Sequence, residues 1–226
     1  MQRRLIMLRH GQTVYNATRR MQGHLDTQLS ERGLEQARAA AEFVAPLNIS
    51  KIVASDLSRA ADTAAIISEV LGLSVTTDPR LRETHLGQWQ GKSHDEVDGE
   101  HPGARALWRN DATWAPPEGE SRVEVARRAR PVVDELLAEY DAWGDSAVLL
   151  VAHGGTISAL TASLLGFDVA QYPLLKSLGN TNTARLYAMP AYNTGAGTAA
   201  ATDAPVGSAS AVQWYLEAWN QGLVVS

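Results

Sequence analysis

Twice in this chain a short apolar run ends in a histidine and a glycine. Leu5-Ile6-Met7-Leu8 runs into Arg9-His10-Gly11, and Ala147-Val148-Leu149-Leu150-Val151-Ala152 runs into His153-Gly154-Gly155. Apolar residues without polar alternation mark a strand covered on both faces, as in a parallel sheet. Parallel strands need crossover connections, usually helices, and the intervening sequence offers them. Leu34, Ala37, Ala41 and Val44 recur at helical spacing behind Ser30 and stop at Pro46. After a second short strand, Ile52–Ala54, the residues Ala60, Thr63, Ile67 and Leu71 predict another helix, closed by Gly72. Ser121-Arg122-Val123-Glu124 has the form of a capping box and opens a long helix through Val133, Leu136 and Tyr140. Pro131 lies inside that helix and should kink or break it.

This order predicts a three-layer α/β/α sandwich with a central, mostly parallel sheet. One domain over residues 1–226 suits the length. Periodicity fades between Leu86 and Glu120, where Trp89, Trp108 and Trp114 accumulate. That segment, about 86–120, reads as a lid-like insertion over one end of the sheet, with the tryptophans as its packing. Ala184–Met189 and Ala211–Trp219 read as two final strands, joined by a Gly/Ala/Ser/Thr-rich loop at about 190–210 that is expected to be flexible.

Composition removes several classes of function. The net charge of −5 argues against a general nucleic-acid binder. With no cysteine, disulfides, thiolate catalysis and cysteine-held metals are excluded. The apolar run near the N-terminus is too short for a signal peptide and nothing approaches a membrane span, so a cytoplasmic protein is the expectation. His24, His85, His94 and His101 form no helical i, i+4 pair that would suggest a metal site. No metal and no cofactor is expected.

Ligands of open α/β sheets bind beyond the carboxyl ends of the strands. If the two His-Gly strands are central and parallel, His10 and His153 meet at one edge. Ile52–Ala54 empties into Ser55-Asp56-Leu57-Ser58-Arg59 and delivers a second arginine there, beside Arg9. Arginine grips phosphate bidentately, and a neutral imidazole is a good nucleophile near pH 7.

Five blocks occur in order: Arg9-His10-Gly11-x-Thr13-x-x-Asn16, Gln22-Gly23-x-x-Asp26, Ser55-x-Leu57-x-Arg59-Ala60-x-x-Thr63-Ala64, Leu81-Arg82-Glu83-x-x-x-Gly87 and His153-Gly154-Gly155. Together they resemble the histidine phosphatase superfamily, in its phosphoglycerate-mutase-like branch, over roughly residues 3 to 189. The resemblance implies that His10 attacks phosphorus to form a phosphohistidine. Arg9, Arg59 and His153 would surround the phosphoryl group as three cations, with Asn16 and the backbone N–H of Gly154 as neutral donors. Glu83 would protonate the leaving oxygen and then take a proton from water. Cations nearby would favour its carboxylate, so burial must oppose them if it is to act as an acid. Gln22, Gly23, His85 and Arg109 fall where a substrate rim would lie, and of these Gln22 is the first choice.

Three readings compete: phosphatase, phosphoglycerate mutase and a non-catalytic phospho-ligand binder. All charged and nucleophilic positions are intact, which disfavours the last. Mutases of the family carry paired arginines after a tryptophan, whereas here the stretch is Trp108-Arg109-Asn110-Asp111. A phosphatase is favoured. Within that branch the blocks look most like a subfamily of phosphatases acting on a glucosylated phosphoglycerate, which implies a small phosphorylated sugar acid as substrate. A broad sugar-phosphate phosphatase is the alternative. Many members dimerise, and the edge strand 211–219 could serve a homodimer.

Overall fold

A computed structural model describes residues 2–191 and 212–223. Its centre is a six-stranded sheet. In chain order the strands are β1 (Arg3–Arg9), β2 (Ile49–Ala54), β3 (Val75–Thr77), β4 (Ala147–Ala152), β5 (Thr183–Pro190) and β6 (Val212–Gln221). The spatial order is β3-β2-β4-β1-β5-β6. β1 and β4 pair in parallel with Arg9 opposite Ala152, β2 pairs in parallel with both β4 and β3, and β5 runs antiparallel to β1 and β6. The sheet is thus mostly parallel, and both His-Gly strands are central.

Around it lie α1 (Val14–Ala17), α2 (Glu31–Val44), α3 (Ser58–Leu71), α4 (His94–Glu100), α5 (Ala104–Asn110), α6 (Arg122–Glu139) and α7 (Gly154–Leu164). Successive strand residues point to opposite faces, and this divides the apolar runs between two cores. Leu5, Met7, Val148 and Leu150 pack with Val133 and Leu137 of α6 and Ile157 and Leu160 of α7. Ile6, Leu8, Leu149 and Val151 pack with Ala41 and Val44 of α2 and Ala60 and Ile67 of α3. All six residues of β4 are buried. Each large aliphatic side chain removed from water contributes about 1.5–3 kcal/mol, so the central strands anchor the site at their carboxyl ends. The layers are those expected of an α/β/α sandwich.

The helix does not break at Pro131: α6 continues from Arg122 to Glu139 with the proline inside it. Its apolar face, Val125, Ala129, Val132, Val133, Leu136 and Leu137, is buried along its length, and that packing outweighs the one backbone hydrogen bond a proline forfeits. The edge strand β3 was not foreseen: it has three residues and none is fully buried, so it carries no apolar run. Most of the loop expected at about 190–210 lies outside the described residues.

Residues 86–120 form α4, α5 and intervening turns. Trp89 is buried, with Trp108 edge-on at 6.0 Å and Trp114 at 5.4 Å between ring centroids. These rings join Met21, Leu86 and Val97 in a small core of their own. Among the described residues no helix is long and apolar enough to cross a membrane.

Candidate active site

The parallel register of β1 and β4 brings their ends together. His10 N–H donates to the Ala152 carbonyl at 3.0 Å, and the rings of His10 and His153 lie 5.1 Å apart. Both are buried. The His10 turn fits because Gly11 passes against the start of α2: a Cβ there would lie 2.5 Å from the Gly33 carbonyl oxygen. Gly11 N–H donates to Thr63 Oγ1 at 3.1 Å, tying the turn to α3.

The hydrogen bond of Nδ1 to the Gly11 carbonyl at 2.7 Å decides the state of His10. A carbonyl only accepts, so Nδ1 carries the proton and Nε2 the lone pair. Burial, then the guanidinium groups of Arg9 and Arg59, holds His10 well below the ordinary imidazole range. Nε2 is therefore a free base at neutral pH.

His153 is held from behind by a 2.9 Å hydrogen bond between Nε2 and Ser55 Oγ. That hydroxyl accepts from Leu57 N–H at 3.3 Å and can give its own proton to Nε2, which sets Nδ1 as the protonated nitrogen. Burial, then Arg59 and His10, also pushes this imidazole well below its ordinary range. Here the structure corrects an expectation. The buried imidazole is neutral, which leaves Arg9 and Arg59 as the cations beside His10.

Backbone carbonyls aim the two arginines. Arg59 is fully buried, with Nη1 donating to Leu25 O and Nη2 to Gly23 O, both at 2.8 Å. Burial lowers its pKa to about 10, still a cation at neutral pH. Arg9 Nη1 donates to Leu178 O. In both the Nε is buried without a partner, as is Nδ1 of His153. Buried donors without acceptors are costly, and an oxyanion is the kind of ligand that accepts from such groups.

Glu83 faces the same cavity, its carboxylate set against the start of α7. Its carboxylate accepts from Thr84 N at 2.8 Å and from Gly155 N and Thr156 N at 3.2 Å. A Cβ on Gly155 would stand 2.5 Å from Glu83 Oε1, so only glycine lets the carboxylate approach this closely. The Glu83 carbonyl is held in turn by Arg128 Nη2 at 2.8 Å and His24 Nε2 at 2.6 Å.

Arg9, His10, Asn16, Gln22, Gly23, Arg59, Glu83 and Arg109 line one cavity of about 450 Å³, into which Leu86, His94 and Trp108 also project. A model of the histidine phosphatase superfamily (branch 1) matches residues 5–193.

The chain belongs to the histidine phosphatase superfamily.

A relative from Mycolicibacterium vanbaalenii, a glucosyl-3-phosphoglycerate phosphatase, is 51% identical over 99% of this chain and 97% of its own. A solved mycobacterial glucosyl-3-phosphoglycerate phosphatase complexed with VO3 superposes with a TM-score of 0.87 at 50% identity, over 97% of this chain and 100% of that one. A probable phosphoglycerate mutase of Yersinia pestis is 39% identical over 71% of this chain and 74% of its own.

Not every expected residue of this superfamily member reaches the cavity. His85 is turned away: its ring meets His24 edge-on at 4.9 Å, and Nδ1 bonds the Glu118 carbonyl at 3.0 Å. Gly23 lines the cavity, but its carbonyl is spent on Arg59. Gly154 opens α7 beside Arg9, whose Nε would lie 3.6 Å from a Cβ there. Asn16 is fixed by a capping box with Thr13, and its Oδ1 also accepts from Asn180 Nδ2 at 3.2 Å. That leaves the NH₂ end of Asn16 to donate. Gln22 Oε1 likewise accepts from Thr13 Oγ1 at 2.9 Å and from Thr27 Oγ1. Ser55 and Thr63 stood inside the quoted blocks without a role, and the polar bonds they make supply one. Asn180, which also donates to the His10 carbonyl at 3.0 Å, sits in a connection that no periodicity marks.

Proposed function

We propose that this protein hydrolyses glucosyl-3-phosphoglycerate to glucosylglycerate and phosphate through a phosphohistidine on His10. The observation that carries the chemistry is the Nδ1 bond to Gly11, which leaves a base at Nε2 among buried cationic donors. Nε2 attacks phosphorus as the bond to the glycerate oxygen breaks, and Glu83 delivers a proton to that oxygen. A water then attacks the phosphohistidine, Glu83 takes its proton, and phosphate leaves. Arg9, Arg59, His153 and Asn16 bind the equatorial oxygens throughout, and this preorganised field is the main source of rate in phosphoryl transfer. An incoming dianion favours the protonated form of His153.

The sugar acid is supported by likeness to the relatives above, which span nearly the whole chain. Against the mutase reading, Asn110 follows Arg109 where a second arginine would stand, and its amide is folded back onto Ala106 O at 2.8 Å. The test is kcat/KM across glucosyl-3-phosphoglycerate, 3-phosphoglycerate and common sugar phosphates. The glucosylated acid should lead by at least about tenfold. A hexose phosphate that matches it, or isomerisation of 3-phosphoglycerate to 2-phosphoglycerate, would overturn the reading.

Gln22 gives a prediction of its own. With Oε1 engaged by Thr13 and Thr27, its amide NH₂ is the end left for ligand oxygens. Gln22→Ala should lower kcat/KM for the glucosylated substrate by about ten- to a hundredfold, and for an aryl phosphate far less. A parallel fall on both would assign Gln22 to the phosphate pocket instead.

A further inference from the structure

One guanidinium on the cavity wall has no part in the chemistry above. Arg122 is the first residue of α6, next to its cap Ser121. It lines the cavity with Glu83, Leu86 and Trp108, and its guanidinium carbon lies 5.6 Å over the Trp108 ring. The first turn of a helix is an unfavourable place for a cation. Arg122 is also half-buried, and among the described residues no carboxylate or carbonyl accepts a hydrogen bond from it. The other rim arginines, Arg19, Arg20 and Arg109, are exposed to water, and Arg20 pairs with Glu96 at 3.3 Å while Arg109 bonds the Arg105 carbonyl at 3.2 Å.

Burial lowers the pKa of Arg122 and the Glu83 carboxylate opposes it, as the same carboxylate does for Arg9 and Arg59. The Glu83 carboxylate is already held by the N–H groups of Thr84, Gly155 and Thr156. Arg122 stands on the Trp108 side of the cavity, at the edge of the lid-like segment, with its donors unspent. A half-buried guanidinium with no hydrogen-bonded acceptor is costly unless a ligand supplies one.

We propose that Arg122 is a specificity-determining residue that binds the carboxylate of the substrate's acid portion, its guanidinium supported from one side by Trp108. The proposal rests on reading the substrate as a phosphorylated acid, and it separates two anion sites, one for phosphate and one for carboxylate. Arginine suits the second because its planar fork matches a carboxylate bidentately while its face stacks on an indole.

The experiment compares 3-phosphoglycerate with glycerol 3-phosphate, which differ only in a carboxylate against a hydroxymethyl group, alongside glucosyl-3-phosphoglycerate. Wild type should favour the carboxylated member of the pair by about ten- to a hundredfold in kcat/KM. Arg122→Gln should bring that ratio to within about threefold of one, chiefly through KM, and Arg122→Lys should keep part of it. Thermal melts of both variants establish that they are folded. A ratio that survives in folded Arg122→Gln, or a wild-type ratio of one, overturns the proposal. If the ratio collapses in the variant but the glucosylated substrate is no better than 3-phosphoglycerate, the sugar reading fails and the role of Arg122 stands.

Discussion

Replacing His10 with alanine should remove at least about a thousandfold of kcat on every phosphate monoester, the largest loss any single change in this site produces. The reason is that one atom, Nε2, would form the only bond between protein and phosphorus. Its availability comes from the surroundings: the Gly11 carbonyl claims the Nδ1 proton, and burial with Arg9 and Arg59 keeps a second proton off. None of the neighbours offers a substitute, because His153 is turned to Ser55 and Glu83 is held by α7. Wild type quenched in denaturant during turnover should carry an acid-labile phosphoryl group on His10, and the alanine variant none. Retention of more than about a hundredth of wild-type activity would exclude His10 as the nucleophile.

Glu83→Gln should show the second largest effect, and its size should depend on the substrate. A glycerate oxygen leaves as a basic alkoxide and needs a proton, whereas nitrophenolate does not. Loss of kcat should be about a hundredfold or more for the sugar acid and much smaller for nitrophenyl phosphate. The structure indicates why both substrates are needed. Glu83 accepts through Oε1 from Thr84 N and Thr156 N and through Oε2 from Gly155 N. An amide would set its own N–H₂ against one of those donors, a cost of about 1–3 kcal/mol that perturbs the site whatever the leaving group. Equal losses on the two substrates would make Glu83 a positioning residue, not a proton donor.

Much of the fold was legible because the signals are local. β1 and β4 announced themselves as unbroken apolar runs, and α2 and α6 by Ser30 and Ser121, whose hydroxyls cap Gly33 N–H and Glu124 N–H. That the helix continues through Pro131 could not be read locally, because the packing that holds it together comes from β1, β4 and α7. β3 left no trace because an edge strand of three part-exposed residues needs no apolar pattern.

The site divides along the same line. The residues gathered at the strand ends could be named from the chain alone, because each stands at the end of a recognisable strand or within a block of fixed spacing: Arg9 at the end of β1 and His10 after it, Arg59 after β2, His153 after β4. Their states could not. That His153 is neutral, that Nε2 of His10 holds the lone pair, that His85 turns away and that Arg122 turns inward all depend on partners brought close only by folding. Thr63 lies 52 residues from Gly11, Ser55 98 from His153, and Gly155 72 from Glu83. Spacing along the chain determined which groups this protein has to work with. Burial and the geometry of hydrogen bonds, which act through space, decided what charge each group carries and where it points.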